Sequence, residues 1–344
     1  MKVNSHNTFD KLQEVILGSV DLSVTDSVEN LNKRYILEQI ISHTAEELNI
    51  VQKQLEDFGV KVLRPQTSTI DFSKKCATPF FDVDGHRLPL TPRDIFFTYE
   101  DMIINTFCAD QNRFFESLPY KDILQRYMNY GSHVISMPMP SLDESIYEDE
   151  QNIPDFGYYN NSFPMVSAAN FQKYGKDILY SGYMTINESA LQWFKRQLGD
   201  KYRFHQMPQN IRGHIDACIN IVKPGVVVSN FPKSKLPDFF QSWTVITDQD
   251  IFRNREHDAL PEMISENIQD DDFEDTHLGL NIFSIDQEHA MVYDTTKPSL
   301  LKQLEKNGIT PVPVKFTHTH FLNQGFTCIT LDTVRDSSLE DYTQ

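Results

Sequence analysis

The chain has 344 residues, 40% hydrophobic and 12% aromatic, enough to bury a substantial core, and disorder as the main state is excluded. Its 31 Lys and Arg face 49 Asp and Glu, a net charge of -18, so the basic footprint of a nucleic-acid binder is missing in bulk. Such acidity suits a cationic small substrate, or plain solubility.

The excess is concentrated. Residues 248–275 carry eleven acids against Arg253 and Arg255, and residues 143–155 carry six acids and no base, which together supply -15 of the -18. No apolar run approaches the ~18 residues of a membrane-spanning helix. Asp10 and Glu14 lie in a leading segment without a continuous apolar stretch, so neither a signal nor a transit peptide is expected and the predicted location is cytoplasmic. Cys76, Cys108, Cys218 and Cys328 are far apart and show no metal-ligand spacing, so free thiols are expected. His318 and His320 would share one strand face but have no nearby carboxylate or thiol, and no metal is expected there.

In chain order, helices with 3.6-residue apolar spacing alternate with short strands that often end near proline. A helix over 48–58 leads through Gly59 into a strand over 60–65, and a helix over 123–130 leads through Gly131 into a strand over 133–138. The third pair is 190–198 with 202–208, the fourth 236–241 with 243–246, and the fifth 300–306 with 308–314. Hairpins are predicted for 93–97 with 102–104, 217–222 with 226–229, and 280–285 with 290–293. Five strand, helix, strand modules suggest an α/β fold closed into a pseudosymmetric ring, a single domain over 1–344.

Chemistry-bearing residues sit at the edges of these modules. His214 and Asp216 are two apart and would face one side of an extended chain. Cys328 follows Gly325 in a loop that enters a strand, where a thiol can be exposed as a nucleophile and tuned by a neighbouring imidazolium. Asp94 and Asp177 each immediately precede an apolar run. Singly, each has a plain structural reading: a His/Asp pair on a polar strand face, a buried small thiol, a strand-edge carboxylate. Jointly they could meet at the hub of a ring, where paired carboxylates match the forked donors of a guanidinium.

The run 213–230, Gly-His-Ile-Asp-Ala-Cys-Ile-Asn-Ile-Val-Lys-Pro-Gly-Val-Val-Val-Ser-Asn, closely resembles the His-Ile-Asp-Ala segment of the arginine:glycine amidinotransferase family. Segments 9–18, 92–95 (Pro-Arg-Asp-Ile), 137–147, 169–178 and 325–330 (Gly-Phe-Thr-Cys-Ile-Thr) resemble that family in the right order, so the likeness spans nearly the whole chain. The resemblance implies the five-bladed α/β propeller of guanidino-modifying enzymes, the pentein fold. It implies Cys328 as nucleophile, His214 as general acid and base, Asp177 as the carboxylate that orients that imidazole, and Asp94 and Asp216 as the guanidinium clamp.

The implied reaction moves an amidino group from arginine to an amine through an amidino-cysteine, releasing ornithine, and needs no cofactor. The partners expected are these small molecules, with no nucleic acid or membrane, and a homodimer is allowed. Departures from the family pattern bear on the acceptor. Gly213 stands where glycine-using members have Met, and Arg212 beside it could read an anionic acceptor. Lys233 replaces an Arg, and Glu274 and Asp275 replace a Ser pair, which disfavours glycine because a carboxylate there would repel the acceptor's own. Thr327 replaces the His before the nucleophile. A hydrolase of the same fold and a non-catalytic ring that binds a cation or a protein are the alternatives.

Overall fold

The computed structural model describes residues 1–83, 86–143, 161–181, 186–207, 214–247, 280–316 and 324–343. Most of its strands fall into five three-stranded sheets of one topology, an antiparallel pair extended by a parallel third strand. β1 (Leu12–Leu17) pairs with β17 (Thr330–Arg335) and β2 (Lys61–Leu63), so the two ends of the chain share one sheet. Next come β5 (Phe96–Tyr99), β6 (Met102–Asn105) and β7 (His133–Ser136), then β8 (Phe171–Tyr174), β9 (Asp177–Tyr180) and β10 (Arg203–Gln206). β11 (Ile219–Lys223), β12 (Val226–Ser229) and β13 (Thr244–Ile246) make the fourth sheet, and β14 (Phe283–Ser284), β15 (His289–Tyr293) and β16 (Thr310–Val314) the fifth. A separate hairpin joins β3 (Cys76–Ala77) to β4 (Asp82–Val83).

A parallel neighbour can be reached only by a crossover, and here it is usually a helix. The crossovers are Leu31–Asp57, Lys121–Asn129, Glu188–Leu198 and Pro298–Lys306. Asn30 and Asn187 start two of them by accepting hydrogen bonds from otherwise unpaired first-turn N–H groups. In the fourth module the predicted helix is instead a 3-10 turn, Asp238–Ser242, since Pro232 and Pro237 leave too little uninterrupted chain for a longer element. The first helix begins well before its predicted start. Its buried apolar residues are Ile41, Leu48, Val51 and Leu55, with Thr44 and Glu47 interrupting the stripe, whereas Leu31 is 79% exposed and Tyr35 also faces outward.

The central strands are buried on both faces, which is why they read as continuous apolar runs rather than alternating ones. In β12, Val227 packs toward the third sheet while Val226 and Val228 pack toward the fifth. Five apolar cores lie between consecutive sheets, and the last, joining Val15, Leu17 and Leu55 to Met291 and Tyr293, returns to the first sheet. This cyclic order fits the five-bladed α/β propeller expected from the sequence.

A short segment precedes the first strand of every module, and these segments meet near the axis. The turn Pro92–Ile95 packs on Ala168–Asn170 and on Phe326–Ile329, and Ala168–Asn170 packs on Ile215–Ala217. Asn281, ahead of β14, bonds to both Asp216 and Thr327 and so links the fifth module to the fourth and first.

Gly18 is where β1 slides under this hub. Its N–H donates to the Ile329 carbonyl at 2.8 Å, and a Cβ there would lie 1.9 Å from the Leu90 oxygen. The Gly18→Ala variant must therefore shift backbone, and urea unfolding is expected to show a loss of at least about 2 kcal/mol. Stability equal to the parent would contradict this packing.

Candidate active site

Asp94 lies in the turn Pro92–Ile95, started by proline at a position where no N–H is needed. Its carboxylate is buried, and Arg113 Nη1 donates to Oδ2 at 2.7 Å. The same guanidinium donates from Nε to Glu116 Oε2 at 2.6 Å and from Nη2 to Thr91 Oγ1 at 2.8 Å, so one buried cation serves two buried acids. Among the described residues Oδ1 of Asp94 has no hydrogen bond, and it lies 3.7 Å from His214 Nδ1. Burial opposes the charged form of Asp94, yet His214 and Arg113 beside it prevail and hold its carboxyl below the usual range.

Asp216 repeats this pattern from the fourth module. Its Oδ2 accepts from the Thr327 hydroxyl and from Asn281 Nδ2 at 3.3 Å, while Oδ1 is buried and has no hydrogen-bond partner among the described residues. Contrary to the extended chain expected at 214–216, Ile215–Ala217 is a 3-10 turn with His214 as its cap. His214 Nε2 lies 3.0 Å from Ser167 Oγ, and that hydroxyl donates to the Asp94 carbonyl at 3.2 Å. A hydroxyl has one proton, so this arrangement leaves Ser167 free to accept from the imidazole. The imidazole is partly open, at 23% exposure.

Cys328 sits in the four-residue turn Phe326–Ile329 rather than in an open loop, and it is buried. Its sulfur is 3.6 Å from Asp216 Oδ2, and one donor atom each from Asp94, His214 and Cys328 come within 4.8 Å of one another. Burial, with the carboxylates of Asp216 and Asp94 adding to it, pushes the thiol well above its usual range. Arg93 pins this turn. Its Nε donates to the carbonyls of Thr327 and Thr330 at 2.7 and 3.1 Å, on either side of the cysteine, and its Nη2 donates to the buried Asp332 at 2.8 Å. The same carboxylate accepts from Arg335 at 2.9 Å and lies 3.3 Å from Lys173 Nζ.

The structure thus brings Asp94, His214, Asp216 and Cys328 together, but not Asp177. That carboxylate accepts from Arg203 Nε and Nη2 at 2.8 and 2.7 Å and faces His205 Nε2 at 2.6 Å, so it joins β9 to β10 instead of orienting His214. The hub position of this module belongs to Asn170, directly before β8, whereas Asp177 opens the second strand of the hairpin. The carboxylate beside the imidazole is Asp94. Lys233 is also away from the hub, its ammonium donating to the Trp243 carbonyl at 2.7 Å within the fourth module. Arg212, Gly213, Glu274, Asp275, His318 and His320 lie outside the described residues, as do nearly all of the two acidic stretches. Arg113, Glu116, Ser167, Asn170 and Asn281 were not singled out from the sequence. Of these, Asn170 stood inside a recognised segment, but the strand it precedes contains Gln172 and Lys173 and gave no apolar signal.

No protein-family model matches the chain. It is 31% identical over 365 residues to inosamine-phosphate amidinotransferase 1 of Streptomyces glaucescens, with 99% of both chains covered. It is 30% identical to the mitochondrial glycine amidinotransferase of Gallus gallus, over 99% of this chain and 84% of that one. Among solved structures, an amidinotransferase of Microseira wollei in the saxitoxin biosynthetic pathway superposes with a TM-score of 0.81 at 26% identity, covering 99% of each chain.

The corrected place of Asp177 can be tested by Asp177→Asn. Burial favours the neutral acid, but hydrogen bonds from His205 and Arg203 overcome it and hold the carboxyl below its usual value. A depressed folded-state pKa stabilises above the unfolded value and is lost as pH falls through the folded one. The variant is therefore expected to be about 1–3 kcal/mol less stable at neutral pH, with the gap closing in acid. The pH profile of turnover should not move, and a displaced alkaline or acid limb would return Asp177 to the imidazole.

Proposed function

The chain belongs to the amidinotransferase family, and from that premise we propose that it transfers the amidino group of arginine to an amine other than glycine, through Cys328. The observation that supports this best is the pair of buried acids, each with one oxygen anchored and the other without a hydrogen bond among the described residues. A buried unpaired acceptor costs about 1–3 kcal/mol, a penalty that a donor-rich planar cation would relieve at both acids. A guanidinium is such a cation.

Its arrival also answers the difficulty with the nucleophile. Before substrate enters, burial, with Asp216 and Asp94 adding to it, favours the protonated sulfur. A cation set between them offsets their field and favours the thiolate, whose proton passes to His214. The sulfur then bonds to the guanidinium carbon, and the carbon's bond to the ornithine nitrogen breaks as His214 returns the proton to that nitrogen. Ornithine departs and an amidino-cysteine remains. The acceptor amine gives a proton to His214 and bonds to the same carbon, and the carbon–sulfur bond breaks to restore the thiolate.

Acceptor choice rests on the departures in sequence. Asp275 would repel the carboxylate of glycine, and Arg212 next to the catalytic segment suits an acceptor with an anionic group. The Streptomyces glaucescens relative is named for an inosamine phosphate, so phosphorylated amines are the first acceptors to try.

Incubation with arginine and a panel of amines, glycine and an amino-cyclitol phosphate among them, should yield ornithine and a new guanidino compound in equal amounts. Citrulline with ammonia, or no reaction at all, would sink the proposal. In Cys328→Ser, turnover should fall by at least about 1,000-fold while arginine still binds. That binding should weaken at high salt and in Asp94→Asn, since the attraction is ionic.

A further inference from the structure

We propose that Asn281 is a further catalytic residue, its side-chain amide donating an N–H to the sulfur of Cys328 in the charged state while fixing the carboxylate of Asp216. The inference rests on the reading of Cys328 as nucleophile and adds a group that neither motif nor relative assigns.

The orientation of the amide follows from its neighbours. Oδ1 lies 2.7 Å from the backbone N of Thr327, a group that can only donate, so the oxygen end must face it. The NH2 end is then directed to Asp216 Oδ2 at 3.3 Å and to Cys328 Sγ at 3.8 Å. Two donors meet two acceptors. A flipped amide would set nitrogen against an N–H and oxygen against a carboxylate. In the thiol form the S–H can donate to Asp216 Oδ2; once ionised, the sulfur becomes an acceptor, and the Asn281 N–H is already aimed at it.

Two features of the surrounding chain hold the amide there. Gly325 has φ -112°, an extended value open to any residue, so no backbone demand selects glycine. A Cβ at this position would fall 2.4 Å from Asn281 Cγ, and glycine is what leaves room for the amide. Asn220 Nδ2 donates to the carbonyls of Asp216 and Leu280 at 2.8 and 2.6 Å, which ties the residue before Asn281 to the acid it supports.

Among the described residues, the charged and titratable groups around the sulfur are Asp94, Asp216 and His214, with Arg93 on the carbonyls flanking it and Arg113 behind Asp94. Both carboxylates oppose the thiolate, and a neutral donor in contact with the sulfur works the other way.

The test is alkylation of Cys328 by iodoacetamide across pH, followed by mass spectrometry of its peptide so that Cys76, Cys108 and Cys218 do not interfere. In Asn281→Ala the midpoint of that profile should rise by about one unit, and kcat should fall about ten- to a hundredfold with the arginine KM within about threefold. The isosteric Asn281→Asp keeps the acceptor for Thr327 N–H but puts an oxygen against the sulfur, and it should alkylate at least tenfold more slowly than wild type at neutral pH (about one unit of added shift). Circular dichroism confirms that each variant is folded. A wild-type alkylation profile in either folded variant overturns the proposal. Alkylation needs neither arginine nor an acceptor, so a failed transfer assay would leave this outcome readable.

Discussion

Two carboxylates buried beside a thiol are an expensive arrangement, and the rest of the hub is organised around holding them charged. Each ionised acid withdrawn from water costs several kcal/mol unless hydrogen bonds replace its hydration. Asp94 meets that demand with Arg113, which Glu116 in turn balances, and Asp216 meets it with Thr327 and Asn281. In both cases, among the described residues, the compensation stops at one oxygen. What remains is a site with negative charge on two sides and unspent acceptor capacity.

The cyclic order of the five sheets explains how such groups come from distant parts of the chain yet sit close together. Each module has one short segment just before its first strand, and Asp94, Asn170, Asp216, Asn281 and Cys328 occupy equivalent places on these segments. Strands packed on both faces make these segments rigid at their downstream ends, so the side chains need little further ordering. Arg93 adds a cross-tie, since it leaves the turn of Asp94 and clasps the carbonyls on both sides of Cys328. The turns of Asp94 and Cys328 are therefore set relative to one another by a single guanidinium.

Much of this was legible in the sequence, for identifiable reasons. Five modules could be counted because crossover helices and buried strands leave distinct periodicities, and Cys328, His214, Asp94 and Asp216 stood in motifs specific enough to be expected at one place, where the structure brings them together. Asp177 misled because it heads an apolar run, Ile178 to Tyr180, whereas the strand after Asn170 contains Gln172 and Lys173. Telling Asn170 before β8 from Asp177 at the head of β9 requires the hairpin register, which a local pattern does not contain. Arg113 and Asn281 act on partners in other elements, through contacts that no spacing encodes. The helix Leu31–Asp57 was half visible for a related reason, since only its second half packs a continuous apolar stripe.

The acidity of the chain acquires a second meaning at the hub. Bulk charge offers no basic footprint, and at the hub two local charges sit beside a thiol. Burial, with Asp216 and Asp94 adding to it, raises Cys328 well above its usual range. Under the proposed reaction a guanidinium between the two acids would offset their share of that shift. The acids that hold the donor would then be the same acids that restrain the sulfur, and binding would itself favour the thiolate. An amidino-cysteine would keep a cationic group between the same two carboxylates, so the clamp would favour that intermediate until an acceptor amine arrives.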